Sequence, residues 1–284
     1  MRLIAQPVHQ TFFPYPIAAT VHAARVSLAY QVNARSAARA TGVGIQWGPY
    51  VVGYLVMTWG GTLWTHHILQ IPPPMLYSTT PWIIYTSTHI ILTFLTALFP
   101  IVLDNEIIKV LDTVLFPLDA MVRTGTVTSA VGLIAPTTPP ALAPTALTHL
   151  LIGALASSGG TLTASTLSTW SATWSLTTPP ILRAPTLLAF VLGSMDVWGG
   201  ALVAAVYGVA SGREEFKGVR GALGALGSKD VKEWRMEDLE ARAVAAGLLA
   251  VCFGVRVYWM HWAGKARFER ERVRGVKSEK EKTK

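Results

Sequence analysis

Runs of about 20 mostly apolar residues, separated by proline-rich breaks, constrain this chain more than any other feature. A hydrocarbon core of roughly 30 Å takes about 20 helical residues to cross. Lipid tolerates only backbone whose polar groups are satisfied within the segment or a closed barrel. Seven stretches qualify, with soft boundaries: about 13–31, 45–68, 81–103, 107–134, 145–170, 181–209 and 240–263. Turn chemistry is dense between several of them, at Pro72-Pro73-Pro74, from Pro136 to Pro144, and at Pro179-Pro180. The first stretch carries His22 and Arg25; the fifth is Ser/Thr-rich yet holds no charge between His149 and Trp174. Only 14% of the 284 residues are charged, against roughly 25% in a soluble domain. Trp47, Tyr50, Trp64, Tyr77, Trp82, Trp170, Trp174, Tyr258 and Trp262 fall near the ends of the stretches, where an interfacial aromatic belt belongs. The fold class expected is an all-α membrane protein with seven transmembrane helices spread over residues 1–263.

The basic balance is concentrated in the tail. Residues 264–284 hold nine Lys/Arg against four Glu, most of the formal +8 of the chain. That is a solvated basic segment and not a nucleic-acid surface, because no aromatic-interleaved basic patch or zinc-type spacing accompanies it. A single cysteine, Cys252, lies in an apolar run and reads as a small packing residue. The apolar patch after Arg2 is interrupted by Gln6, His9, Gln10 and Pro14, a poor signal peptide. The first helix is therefore expected to direct insertion and to stay.

Basic short loops face the cytosol. Arg35 and Arg39 follow the first helix, Lys109 sits at the junction of the third and fourth, and Arg183 follows the fifth. This puts the N-terminus in the lumen and the tail in the cytosol. Residues 211–239, an extramembrane loop, would then be luminal despite Arg213, Lys217, Arg220, Lys229, Lys232 and Arg235.

Glycines mark a two-fold pattern. The second helix carries Gly53, then Gly60-Gly61; the fifth carries Gly153, then Gly159-Gly160. Each is the middle helix of a block of three, and an odd number per block makes the two blocks inverted repeats, with the seventh helix left over. Matched glycine interruptions point to a substrate path between kinked helices. Glycines also serve close packing of membrane helices, and the pattern alone fits both.

Charges inside lipid cost roughly 2.5–3.5 kcal/mol each on insertion scales, so each demands a reason. Asp112, Asp119 and Arg123 in the fourth helix lie at about 0°, 340° and 20° around its axis, one stripe. The stripe reads as a charged wall of a water-filled path with Arg123 as its gate, or as a neutralised pair joining helices. Asp196, mid-way along the sixth stretch, has no basic residue within a turn. Its partner must come from another helix, with Arg25 and Arg123 as candidates. Enzyme motifs are lacking: no Gly-x-Ser-x-Gly turn, phosphate-binding Gly-x-x-x-x-Gly-Lys loop or His-Glu-x-x-His occurs. His66-His67 are adjacent and diverge by about 100°, which does not chelate one metal. Neither catalysis nor a resident metal is expected. Lys280 and Lys282, third and fifth from the end, look like a dilysine signal for retrieval to the endoplasmic reticulum.

Taken in order, short motifs along nearly the whole chain resemble the trimeric intracellular cation channel family. They are Phe13-Pro14 with His22, Ser27 and Tyr30; Gly53-Tyr54-Leu55 through Gly61; Phe99-Pro100 before Asp104; Ala130-Val131-Gly132; Gly153 through Gly160; and Ala184-Pro185-Thr186-Leu187. The resemblance implies a homotrimer with one pore per subunit, passing potassium as counter-ion to calcium release from intracellular stores. It implies that the glycine-bearing second and fifth helices shape the pore; conduction needs a polar, narrow path, for which Ser157, Ser158, Thr161 and Asp196 suffice in kind. It also implies gating and binding of a phosphoinositide or other anionic lipid by basic residues of helix four. Here the family's Lys-Glu-Val…Arg signature is not intact: Asp119-Ala120-Met121-Val122-Arg123 stands in its place. Two other readings remain, a secondary transporter with two three-helix repeats and a non-transporting membrane scaffold.

Overall fold

The structure, a computed structural model, describes residues 5–134, 143–226 and 235–263. A short antiparallel hairpin, β1 (Pro7–His9) and β2 (Phe13–Pro16), leads into nine α-helices among the described residues. They are α1 (Ile17–Thr41), α2 (Trp47–Ile68), α3 (Thr80–Leu98), α4 (Asn105–Gly132), α5 (Ala146–Leu167), α6 (Leu187–Gly193), α7 (Met195–Ala210), α8 (Lys217–Leu226) and α9 (Asp238–Tyr258). A π-helical turn, Trp259–Ala263, extends α9.

Helices occupy the expected segments, with local differences in their bounds. Helix one starts at Ile17 and not at 13, because Pro14 and Pro16 hold the residues before them extended. It runs to Thr41, ten residues past its apolar stretch, and ends where Gly42 adopts a left-handed φ of 72°. Arg35 explains the extension: its guanidinium donates to Thr96 O at 3.3 Å and Pro100 O at 3.4 Å, at the open C-terminal end of α3. Helix three stops at Leu98, before Pro100 opens a 3-10 turn to Leu103. The stretch 181–209 is not one helix. It holds a 3-10 turn, Pro180–Arg183, then α6 and α7, bent by 60° at Ser194. The segment 211–239 contains α8 and is no plain loop. Lys280, Lys282 and the rest of the tail fall outside the described residues.

Helices α2 and α5 run without a break, so the expected kinks at their glycines are replaced by another use of the same residues. The two helices cross at those glycines. A Cβ on Gly60 would lie 2.8 Å from the Gly160 Cα, and one on Gly159 would lie 2.9 Å from the Gly61 Cα. A Cβ on Gly61 would lie 2.7 Å from Ala156 O, and one on Gly160 would collide with Met57 O. The backbones touch, as small residues allow in lipid, where van der Waals contact replaces the hydrophobic drive between helices. Two turns earlier, Gly153 packs on Gly200 of α7. Gly53 makes room for the Tyr30 hydroxyl, which donates to Thr169 O at 2.9 Å just past α5.

The interior of the helix bundle is partly polar and its outside apolar. Between α1 and α3, Ser27 Oγ meets His89 Nδ1 at 2.8 Å and accepts from Gln31 Nε2 at 3.1 Å; Thr96 Oγ1 donates to Gln31 Oε1 at 2.5 Å. Tyr54 stacks on the His89 ring at 3.9 Å. Outward, α3 exposes Ile83, Ile91, Phe94 and Leu98, and α9 exposes Val244, Leu248, Val251 and Val255. Patches of this size on a soluble protein mark an interaction surface; here they form the wall that lipid requires. Among the described residues three helices, α3, α5 and α9 with its π turn, are long and apolar enough to cross a membrane; α6 with α7 makes a fourth span if the bent pair counts as one. The protein is thus a mostly helical membrane protein. At 25, 22 and 28 residues, α1, α2 and α4 have the length for a crossing. Helices α1 and α4 carry charges within them, Arg25, Asp112, Asp119 and Arg123 among them, and are less apolar than α3.

Candidate functional site

The stripe on α4 meets its partners at the centre of the bundle. Arg123 Nη1 donates to Ser157 O at 2.5 Å and to Ser157 Oγ at 3.2 Å, and it lies 3.5 Å from Asp196 Oδ1. Its Nη2 stands 3.9 Å from Asp119 Oδ2, the expected pair one turn away. Asp196 Oδ1 also accepts from Arg256 Nη1 at 2.9 Å. The guanidinium carbons of Arg123 and Arg256 lie 5.4 Å and 4.5 Å from the Phe253 ring centre, within the range of a cation–π contact. Asp196 is placed by the break between α6 and α7. It is the second residue of α7, within the first turn at the positive N-terminal end of that helix dipole.

A second charged group lies further along the same stripe. Arg25 Nη2 donates to Asp112 Oδ1 at 3.0 Å, and His261 Nε2 lies 3.2 Å from Asp112 Oδ2. Arg25, one of the two partners expected for Asp196, therefore belongs to Asp112. Eighty-seven positions separate Arg25 from Asp112, and helix-face arithmetic within α4 carries no information about so distant a pair.

Two cavities flank the Arg123 cluster. The first, about 230 Å³, has His22 of α1, Thr62 of α2, Tyr85 of α3, Arg123 and Thr126 of α4, and Ser157 of α5 in its wall; Pro74 and Pro81 at the start of α3 also line it. The second, about 260 Å³, is bounded by Arg25, Asp112, Asp119, Arg256 and His261, with Gly193 at the end of α6. They lie towards opposite ends of the bundle. A short 3-10 connection joins the end of α3 to the start of α4, so the start of α3 and the start of α4 are at opposite ends. Pro74 and Pro81 belong to the first end, Asp112 and His261 to the second.

The residues expected to form the path divide accordingly. Arg123, Ser157, Gly61 and Gly160 line the first cavity. Asp112 and Asp119 line the second. Asp196 joins them through its ion pairs. Gly53, Gly60, Gly153 and Gly159 serve helix contacts instead. Ser158 is buried with its hydroxyl donating to Ala154 O at 2.7 Å, outside both cavities. Sequence reasoning missed Arg256, His261 and Tyr85, and named His22 without placing it at this site. The signal for Arg256 was present, as a charge within the apolar run of the last helix. His22 and Tyr85 meet at 3.2 Å across 63 positions, a contact no local pattern announces.

Comparison with known proteins finds no matching family model, no matching curated protein and no matching solved structure.

Proposed function

We propose that the protein is a monovalent cation channel, chiefly for potassium, of an intracellular membrane, with a path inside each subunit and Arg123 at its narrowest point. The observation that carries this reading is the pair of polar cavities at opposite ends of the bundle, separated by the Arg123–Asp119–Asp196–Arg256 cluster. Carboxylates and hydroxyls in a narrow path replace part of an ion's hydration. Three of the carboxylates, Asp112, Asp119 and Asp196, stand along or beside it. Arg123 bridges the two sides and can open the path only by exchanging its acceptors.

The reading takes α1 to α5, the α6–α7 pair and α9 as seven crossings; the apolarity of α3, α5, α9 and the α6–α7 pair supports it. Two inverted blocks of three fit the matching glycine spacing, since Gly53 and Gly60, like Gly153 and Gly160, stand seven apart, and Gly60 meets Gly160 where α2 and α5 cross. The trimer and the counter-ion role rest on the sequence resemblance, the cytosolic tail on the basic short loops, and the intracellular membrane also on Lys280 and Lys282. A phosphoinositide at Arg123 forms no part of the proposal, because Ser157, Asp119 and Asp196 already hold its guanidinium.

The test is recording from purified protein in planar bilayers under gradients of potassium, sodium and chloride. Cation-selective openings, altered in Arg123→Ala, are expected; silence from folded protein would overturn the reading. One observation favours a secondary transporter as the second reading. The helix broken at Ser194 sets Asp196 at a half-helix terminus beside a cavity, as discontinuous helices do at carrier sites. Saturable, ion-coupled solute uptake by silent protein would select it.

A further inference from the structure

Helix α8 is inside out for a helix in water. Arg220, its one internal charge, is 5% exposed and turned into the protein, where Nη1 donates to Arg213 O at 2.6 Å. Val219 and Leu223 are 47% and 45% exposed, and Ala222 is exposed beside them. Spacings of three and four put these three side chains on one face. A surface helix in water does the reverse, with its apolar stripe inward and its charges out.

The place of α8 says what covers that face. It begins six residues after α7 ends, and Phe216, just before it, is buried against Gly208 of α7. The chain then returns to the same rim: Met236 N–H donates to Ala210 O at 2.8 Å, and the Tyr207 hydroxyl donates to Asp238 Oδ1 at 2.6 Å at the start of α9. Helix α8 is thereby fastened where a bent span leaves the bilayer and the last span enters it. Exposed Lys217 stands at its N-terminal end, as a side chain that snorkels toward headgroups would. We propose that α8 lies in the membrane interface, with Val219, Ala222 and Leu223 against lipid acyl chains. Helix α8 then rests on the bilayer as a lipid-contacting element, whatever the protein transports.

The test uses the full chain with Cys252→Ala, which removes its one cysteine. Leu223→Cys, Ala222→Cys and, as a water-facing control, Glu214→Cys each carry an environment-sensitive fluorophore. The proteins are placed in nanodiscs of phosphatidylcholine brominated on its acyl chains. Expected are a blue shift and loss of emission at 223 and 222, with neither at 214. Ala222→Cys stands as the second site if Leu223→Cys does not fold. Emission at 223 and 222 that matches 214 and escapes quenching would put the face in water. A blue shift without bromine quenching would mean that protein covers it. Either result overturns the proposal.

Discussion

The α2–α5 crossing and the Arg123 cluster sit side by side and hold helices together by opposite means. At the crossing no charge is spent: backbone meets backbone at Gly60, Gly61, Gly159 and Gly160. At the cluster, two arginines and two carboxylates from α4, α7 and α9 are brought into a region where each charge is costly. Apolar residues of the same volume would often hold such helices equally well or better. The glycines are thus explained by packing alone, whereas the charges are explained by what lies on either side of them. Ser157 joins the two regions. Its carbonyl and hydroxyl accept from Arg123, one helical turn from the glycine pair.

Substitutions that separate these two roles should fall in a definite order. The largest effect belongs to Gly160→Leu, which drives a side chain into Met57 O. We expect loss of folded, monodisperse protein in size-exclusion chromatography. Gly125→Ala, with nothing within 4 Å of the new Cβ, should leave the profile unchanged; equal damage from both would end the account of the crossing.

Next comes the cluster. Asp196→Ala leaves Arg123 and Arg256 without their shared acceptor and should cost about 1–3 kcal/mol, below the penalty for a fully buried pair because the side chains are partly exposed and Arg123 keeps Ser157 and Asp119. Pairing it with Arg123→Met should return part of that loss. Thermal unfolding in detergent, followed through the ten tryptophans, reads both. Independent, additive losses would show that the ion pair carries no coupling.

Smallest is Tyr30→Phe, which deletes the hydroxyl bound to Thr169 O beside Gly53 and should lower stability by about 1 kcal/mol. It tests whether the polar seam between α1 and the end of α5 matters apart from the glycines. No change in the unfolding midpoint would reduce Gly53 to a space filler.

Much of this was legible in the sequence where local chemistry decides. The expected 45–68 and 145–170 lie within three residues of α2 (Trp47–Ile68) and α5 (Ala146–Leu167), because Pro-rich breaks and apolar length set those ends. The stripe of Asp112, Asp119 and Arg123 follows from helical spacing, and all three do line cavities. What was not legible is tertiary. Glycines signal either a break or a contact, and only the neighbouring helix chooses between them. The break itself fell at Gly193-Ser194, where Thr186 caps one short helix through Ala189 N–H and Asp196 opens the next. Arg256 and His261 find their carboxylates across 60 and 149 positions. Helix α8 escaped notice because its polarity is inverted, so a search for a water-facing helix passes over it.

The central claim is that two cavities reach the Arg123 cluster from opposite faces of the membrane. Side-specific labelling with a membrane-impermeant thiol reagent tests it most directly, in Cys252→Ala protein carrying Thr62→Cys in the first cavity or Met260→Cys in the second. The account predicts that position 62 reacts from one face only and position 260 from the other, and that adding Arg123→Ala lets each react from both. Reaction of both positions from the same face would contradict it.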